Sequence, residues 1–305
     1  MLVYVSRRSL SSLISLAGLI VLVFFLARLT GDPTNLYLPI DASLEARDAF
    51  RERHGFGDPL VEQFVRFLGD LARFDMGESI RKARPALEVV LEAIPTTLTL
   101  AVITMGLALA GALLIGSLAA VRPGGAFDRT ASVVSLAGAS APDFWVAITG
   151  ILIFAVALGW LPTSGTGTVW HWILPVAVLL LRPFGLLVQV VRGAMLGALR
   201  SAYAKTARAK GVRNRRITFV HALRNSMLPV ITVASDQAAA IINGAVIVET
   251  VFGFPGVGKL MIDAILQRDF AVIQAAILVT AALIFVMNIL IDVAYAVLDP
   301  RVRHD

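Results

Sequence analysis

Six predominantly apolar runs constrain this chain more than any other feature: residues 10–29, 96–121, 133–158, 171–192, 229–249 and 273–297. A helix rises about 1.5 Å per residue, so roughly 20 residues cross the ~30 Å hydrocarbon core of a bilayer. No water inside that core can satisfy backbone N–H and C=O groups, and only helices and closed barrels satisfy their own. The runs therefore predict an all-α polytopic membrane protein with six transmembrane helices. Composition agrees: 57% of the 305 residues are hydrophobic and 16% charged, with mean hydropathy +0.80, against about 25% charged in soluble domains. Arg7 and Arg8 precede the first run as in a signal peptide. The run is too long for one and no small-x-small cleavage site follows, so residues 1–29 are expected to hold an uncleaved first span.

Six spans put both termini on one side. The short loops of that side, 1–8, 122–132, 193–228 and 298–305, carry Arg7, Arg8, Arg122, Arg129, Arg200, Lys205, Arg208, Lys210, Arg213, Arg215, Arg216, Arg224, Arg301 and Arg303. The opposite short loops, 159–170 and 250–272, carry only Lys259 and Arg268. Cytoplasmic loops collect Lys and Arg, so both termini are expected in the cytoplasm. The same asymmetry accounts for the +6 formal charge without a nucleic-acid partner.

The segment 30–95 then lies outside, where long loops go largely regardless of charge. It carries two helical patterns. Asp41 or Ser43 caps the first, Glu45 makes an acidic first turn, and Gly55 and Gly57 end it. The second places Leu60, Phe64, Phe67, Leu68 and Leu71 at helical spacing. A small helical cap on the membrane surface is expected, ahead of a permeating core at 96–305. With no cysteine, and with His54, His171, His221 and His304 in no ligand spacing, neither a disulfide nor a metal site is expected.

The longest cytoplasmic loop, 193–228, is itself helical in character. Leu199, Tyr203 and Ala207 form an apolar stripe, Arg208 and Lys210 sit in a last turn, and Gly211 suits a left-handed C-cap. A second short helix follows, with Pro229 opening the fifth span. Such a knob is a plain charged loop, a site for anionic lipid, or a docking element for a cytoplasmic partner.

Residues 203–229, "YAKTARAKGVRNRRITFVHALRNSMLP", resemble the EAA loop of ABC-importer permeases of the dipeptide and oligopeptide class. The segments "LTGDP", "GDPLVEQFVRFLGDL", "MGES", "IPTTLTLAV", "SAPDFW", "LGWLPTSG", "VETVFGFPGVGKLMIDAILQRDF" and "LDPRVR" resemble that family in the same order, over essentially the whole chain. Where the generic loop has an acidic residue six before its Gly, this chain has Lys205, and the spacing from Gly211 to Pro229 is longer than the generic pattern. The resemblance implies a type I importer permease of the first-permease branch in a bacterial inner membrane. It implies a heterodimer with a second permease, one or two ATPase subunits that bind ATP and Mg, and an extracytoplasmic substrate-binding protein. No cofactor and no catalysis are implied for this chain. Tyr203, Lys205, Thr206, Ala207, Arg208, Lys210 and Gly211 would form the ATPase-coupling element, with Ala207 and Gly211 as its packing centre. Relatives in that family also carry nickel chelates, glutathione or opine-like cargo, so the cargo stays open.

Ionisable and amide groups at membrane depth are costly and therefore candidates for function. Arg182, Gln189, Asp236, Gln237 and Asn243 are the candidates for a polar path. The structural alternative pairs Arg182 with Asp236 or Asp292. "SAPDFW" places Pro142 and Trp145 within a span and predicts a kink and an anchor, while Trp160, Trp170 and Trp172 fit interfacial belts. A proton-coupled carrier acting through Asp236, Glu249 or Asp292 is the competing function, but such carriers usually show internal repeats, and none is visible here.

"GFPGVGKL", from Gly253 to Leu260, approaches a P-loop, but Leu260 stands where a Ser or Thr must hold Mg²⁺, and no strand precedes it. Charge asymmetry also places 250–272 outside. Gly253, Pro255, Gly256 and Gly258 are expected to make tight turns, and Glu249, Phe252, Pro255, Gly256 and Gly258 to face the binding protein.

Overall fold

Hydropathy marks where a helix can sit in lipid, but backbone hydrogen bonding decides where it ends, and here the helices outrun the apolar runs. The computed structural model describes the backbone of residues 2–29, 31–39 and 41–298, with side chains from 14 to 289 of these. The expectations for Arg7, Arg8, Asp292 and the tail beyond Leu298 fall outside the described side chains. Among the described residues four helices are long and apolar enough to cross a membrane: Ala86–Val121, Val169–Arg200, Asn214–Phe252 and Phe270–Ile289. Ala126–Ser140 and Asp143–Ala157 pass the same test as a pair bent by 101°, and Ile14–Leu29 is a shorter apolar helix.

The chain divides into two compact units, Met1–Thr96 with Pro255–Val286, and Thr97–Phe254 with Met287–Asp305. In the first, α1 (Leu2–Leu29) is followed by α2 (Thr34–Tyr37), α3 (Leu44–His54) and α4 (Leu60–Leu71). Ser43 is the cap of α3, its hydroxyl accepting from the Ala46 N–H at 3.1 Å, and Gly55 closes the helix at φ 65°. Phe24 of α1 is fully buried, with its ring centroid 5.1 and 5.4 Å from those of Phe64 and Phe67 on α4. A two-stranded hairpin, β1 (Glu78–Ser79) with β2 (Arg84–Pro85), leads into α5 (Ala86–Val121). α12 (Val257–Gln267) and α13 (Phe270–Leu298) return to this unit, and Val89, Val90, Val257, Phe270 and Ile273 share its core. The buried Asp269 accepts from the Ser79 hydroxyl at 2.6 Å, tying the hairpin to the start of α13. The Tyr37 hydroxyl donates to the Gln267 carbonyl at 3.0 Å, and burial and the Asp269 carboxylate push its pKa up to about 12.

The second unit holds most of α5 with α6 (Ala126–Ser140), α7 (Asp143–Gly150) and its π-helical continuation Ile151–Ala157, α8 (Val169–Arg200) and α9 (Ala202–Ala209). α10 (Asn214–Arg216) runs through a π-helical stretch, Ile217–Ala222, into α11 (Leu223–Phe252). The expected kink at "SAPDFW" is a full break. Pro142 supplies no N–H, Ala141 before it is extended at ψ 132°, and the two halves meet at 101°. Pro229, expected to open a span, lies inside α11 instead. The expected second short helix of the cytoplasmic loop is therefore the beginning of one 39-residue helix, Asn214–Phe252.

α6 and α8 are held by polar as well as apolar contacts. Arg192 donates from Nε and Nη2 to both carboxylate oxygens of Asp128, which is 2% exposed, the second bond at 2.8 Å. Asp128 also accepts from the Gly124 N–H at 2.8 Å. Bidentate geometry of this kind fixes orientation as well as charge.

Candidate functional site

The coupling candidates gather on one short element. Ser201, extended at ψ 162°, breaks the chain after α8, and α9 begins at the next residue. α9 ends in a Schellman motif: Gly211, at φ 76°, donates to the Arg208 carbonyl at 2.9 Å, and Val212 to the Ala207 carbonyl at 3.1 Å. Gly211 is the left-handed cap its position predicts. A Cβ there would meet nothing within 4 Å.

Packing within the chain centres on a different residue from those expected to meet a partner. Ala204 is fully buried against the π-helical stretch, where Ile217 is also buried, while Ala207 is half-buried. Tyr203, expected on the apolar stripe, is 39% exposed. Two residues one apart on a helix point about 100° apart, so the buried face runs through Ala204 and leaves Tyr203 outward. Lys205, Thr206, Arg208 and Lys210 are exposed, as are Arg213, Arg215 and Arg216 beyond the turn. The element thus offers one aromatic ring amid cations.

The pathway candidates separate into two groups. Asp236 and Asn243 lie on one exposed stripe of α11, with Thr232, Ala240 and Ile247 at helical spacing. The opposite face carries Val230, Ala234, Gln237, Ile241, Ala245 and Val248, all buried, so Gln237 belongs to the packed interior. Gln189 is likewise committed, its Nε2 donating to the Ser135 hydroxyl at 2.6 Å and the Ser132 carbonyl at 3.3 Å. Arg182 is exposed on α8. The suggested pair with Asp236 does not form, since among the described residues Arg182 makes no ion pair. Among the described residues the half-buried Arg192 pairs with the buried Asp128 instead, and neither was singled out from sequence.

The outer-loop candidates are mostly interior. Glu249 is fully buried and accepts from the Thr97 hydroxyl at 2.6 Å, and Phe252 is 1% exposed. Gly253 ends α11 at φ 68°, with the Phe254 N–H on the Glu249 carbonyl at 2.8 Å. The Phe254 ring packs edge-on against the half-buried Trp172, centroids 4.9 Å apart, which ties that ring to the core. Trp160 and Trp170 are exposed. The turns expected through Gly258 reduce to one: Gly256 is extended at the start of α12 and Gly258 is helical, both buried, while Pro255 is exposed. An apolar sequence "VGKLMIDAILQ" with helical spacing was the available signal for α12, masked by the P-loop look of the residues before it.

The comparisons with known proteins agree with this geometry. A profile of the family described as "Binding-protein-dependent transport system inner membrane component" matches residues 112–304. The chain is 37% identical over 316 residues to the oligopeptide transport system permease protein AppB of Bacillus subtilis (strain 168), covering 100% of both chains. It is also 37% identical over 336 residues to the di/tripeptide transport system permease protein DppB of Pseudomonas aeruginosa (strain UCBPP-PA14), covering 100% of this chain and 99% of that one. Among solved structures, the inward-facing MetNI methionine ABC transporter superposes with TM-score 0.59 at 16% identity, over 69% of this chain and 96% of that one. An amino acid ABC transporter crystallised with histidines gives TM-score 0.53 at 15% identity, over 70% and 94%. These two likenesses establish a shared fold.

Proposed function

Because the chain belongs to the family of binding-protein-dependent transport system inner membrane components, we propose that it forms one half of the transmembrane path of an ATP-driven peptide importer in a bacterial inner membrane. Relatives named for oligopeptide and di/tripeptide transport support peptide as the cargo class. A second, homologous permease completes the path. An extracytoplasmic binding protein delivers cargo, and one or two cytoplasmic ATPase subunits bind ATP and Mg. This chain holds no cofactor and does no catalysis of its own.

The observation that carries the reading is α9: a short helix with an exposed, cationic, Tyr203-bearing face, held at the joint between two long apolar helices. A groove on an ATPase subunit that seats α9 moves the ends of α8 and α10–α11 when the ATPases close. The exposed stripe through Thr232, Asp236 and Asn243 is the surface across which a peptide's amides and terminal charges would slide. An uninterrupted apolar face would give those groups no partners. Of the residues expected to face a binding protein, Pro255 is the exposed one, with the exposed Gly253 beside it, while Glu249 and Phe252 act by holding the loop in shape.

The test uses the reconstituted complex. Gly211→Asp places a side chain in space that is open in this chain, so only a docked partner meets it. Left-handed strain costs roughly 1–2 kcal/mol, and the chain is expected to insert normally. Cargo-stimulated ATP hydrolysis is expected to disappear. Normal stimulation with Gly211→Asp would overturn the coupling role, and uptake of a metal chelate in place of labelled di- and oligopeptides would overturn the cargo.

A further inference from the structure

The first unit holds an open-sided cavity of about 210 Å³ for which the transport reading has no use. Its wall includes Arg28 at the end of α1, Gln274 in the second turn of α13, the Phe56 and Phe270 rings, and the acidic Asp70 and Glu78. Two nitrogens of these side chains have no acceptor among the described residues: Arg28 Nη1 and Gln274 Nε2, both buried. The rest of the guanidinium is well placed. Arg28 Nε donates to Gln63 Oε1 at 2.8 Å, and Cζ lies 4.5 Å from the Phe270 ring centroid and 5.7 Å from that of Phe56. Gln274 is only 4% exposed. Buried polar groups are almost always paired, so two orphans on residues that line one cavity point to an absent acceptor.

The chemistry of that acceptor is narrow. Guanidinium and amide nitrogens only donate, so the occupant must present acceptor oxygens, and an oxyanion suits both at once. A single water needs about 10–15 Å³, far less than this cavity offers. The acidic side chains on the same wall suit a cationic group carried by the same molecule.

Position selects the source. Arg28 stands where the first apolar run ends, and Gln274 where the last begins, so both sit at the depth of lipid headgroups. The two helices that contribute Arg28 and Phe67 to the wall also carry exposed apolar residues: Leu22, Leu26 and Leu29 on α1, and Val61, Val65 and Leu68 on α4. Acyl chains can follow these surfaces. We propose that the cavity binds the headgroup of a zwitterionic phospholipid, with its phosphate on Arg28 and Gln274 and its ammonium toward Asp70 and Glu78.

Native mass spectrometry of the full chain in its complex tests this, with phosphatidylethanolamine, phosphatidylglycerol, inorganic phosphate and a tripeptide as separate probes. One tightly retained phosphatidylethanolamine is expected. Arg28→Gln and Gln274→Leu should each weaken it about tenfold, the scale of one charge-assisted hydrogen bond, while Arg208→Gln should not. A headgroup-labelled photoactivatable phosphatidylethanolamine should crosslink within residues 54–80 of the wild-type chain, which keeps the test alive if a variant fails to fold. Unchanged lipid retention in both variants, no crosslink in that segment, equal binding of free phosphate, or displacement of the lipid by the tripeptide would each overturn the proposal. None of these readouts depends on transport.

Discussion

Gly185 decides how closely α6 and α8 can lie. A Cβ at this position would stand 2.2 Å from the Ser135 carbonyl oxygen and 3.0 Å from Ala139 Cβ, so the backbone itself would have to move. Gly197, three turns further along α8, has nothing within 4 Å of a built Cβ. Gly185→Ala is therefore expected to destabilise the protein by about 1–3 kcal/mol through overpacking. Gly197→Ala should be neutral or stabilising, since Ala is the better helix former by about 1 kcal/mol. Thermal unfolding of the two variants in the same detergent compares them, and an equal melting temperature would remove Gly185 from the contact. Sequence reading passed over Gly185 because Arg182 and Pro183 beside it are louder signals, and a glycine does not announce which neighbour it admits. The Asp128–Arg192 pair was invisible for a related reason: its members are 64 residues apart, and neither lies mid-span, where a lone charge draws notice.

At the level of elements, local chemistry was readable and face assignment was not. Ser43 as a cap, Gly55 and Gly211 as left-handed stops and the break at Pro142 all follow from properties of one or two residues. Which side of α9 is buried depends on the π-helical stretch it packs against, ten or more residues away, so the sequence shows the apolar stripe through Tyr203 without showing whether it meets this chain or a partner. The two faces make opposite predictions for adjacent residues. Ala204→Trp overfills a fully buried site and should lower the melting temperature as well as ATPase binding. Tyr203→Ala should leave the melting temperature unchanged and weaken co-purification with the ATPase, because exposed aromatics in contact with a partner are frequent hot spots worth about 2 kcal/mol or more. A lowered melting temperature for Tyr203→Ala, or an unaffected one for Ala204→Trp, would put Tyr203 rather than Ala204 on the face packed within the chain.

The whole-molecule topology turns on the bent pair, because a re-entrant α6–α7 would leave an odd number of crossings and separate the termini. Its contacts along α8 argue for a crossing. Asp128 meets Arg192, Ser135 meets Gln189, a Cβ on Gly138 would lie 3.5 Å from the Leu181 carbonyl, and one on Gly150 would lie 3.5 Å from Leu174. As the chain advances from 128 to 150, its partner recedes from 192 to 174. Eighteen residues of helix span about 27 Å, close to the thickness of the hydrocarbon core. A re-entrant hairpin would retrace the same part of α8, and this pair does not. With α5, α8, α10–α11 and α13, the pair makes five candidate spans among the described residues, and the shorter apolar helix Ile14–Leu29 would be the sixth that the apolar runs predict; the 101° break was foreseen only as a kink. The chain has no cysteine, so single-cysteine labelling of intact cells reads the topology directly. Asp48→Cys and Trp160→Cys should react with an impermeant maleimide from outside, and Gly124→Cys and Arg208→Cys only after permeabilisation. Labelling of Gly124→Cys and Trp160→Cys from the same side would show that α6 and α7 re-enter, and would move α9 or the outer segment to the wrong face for their proposed partners.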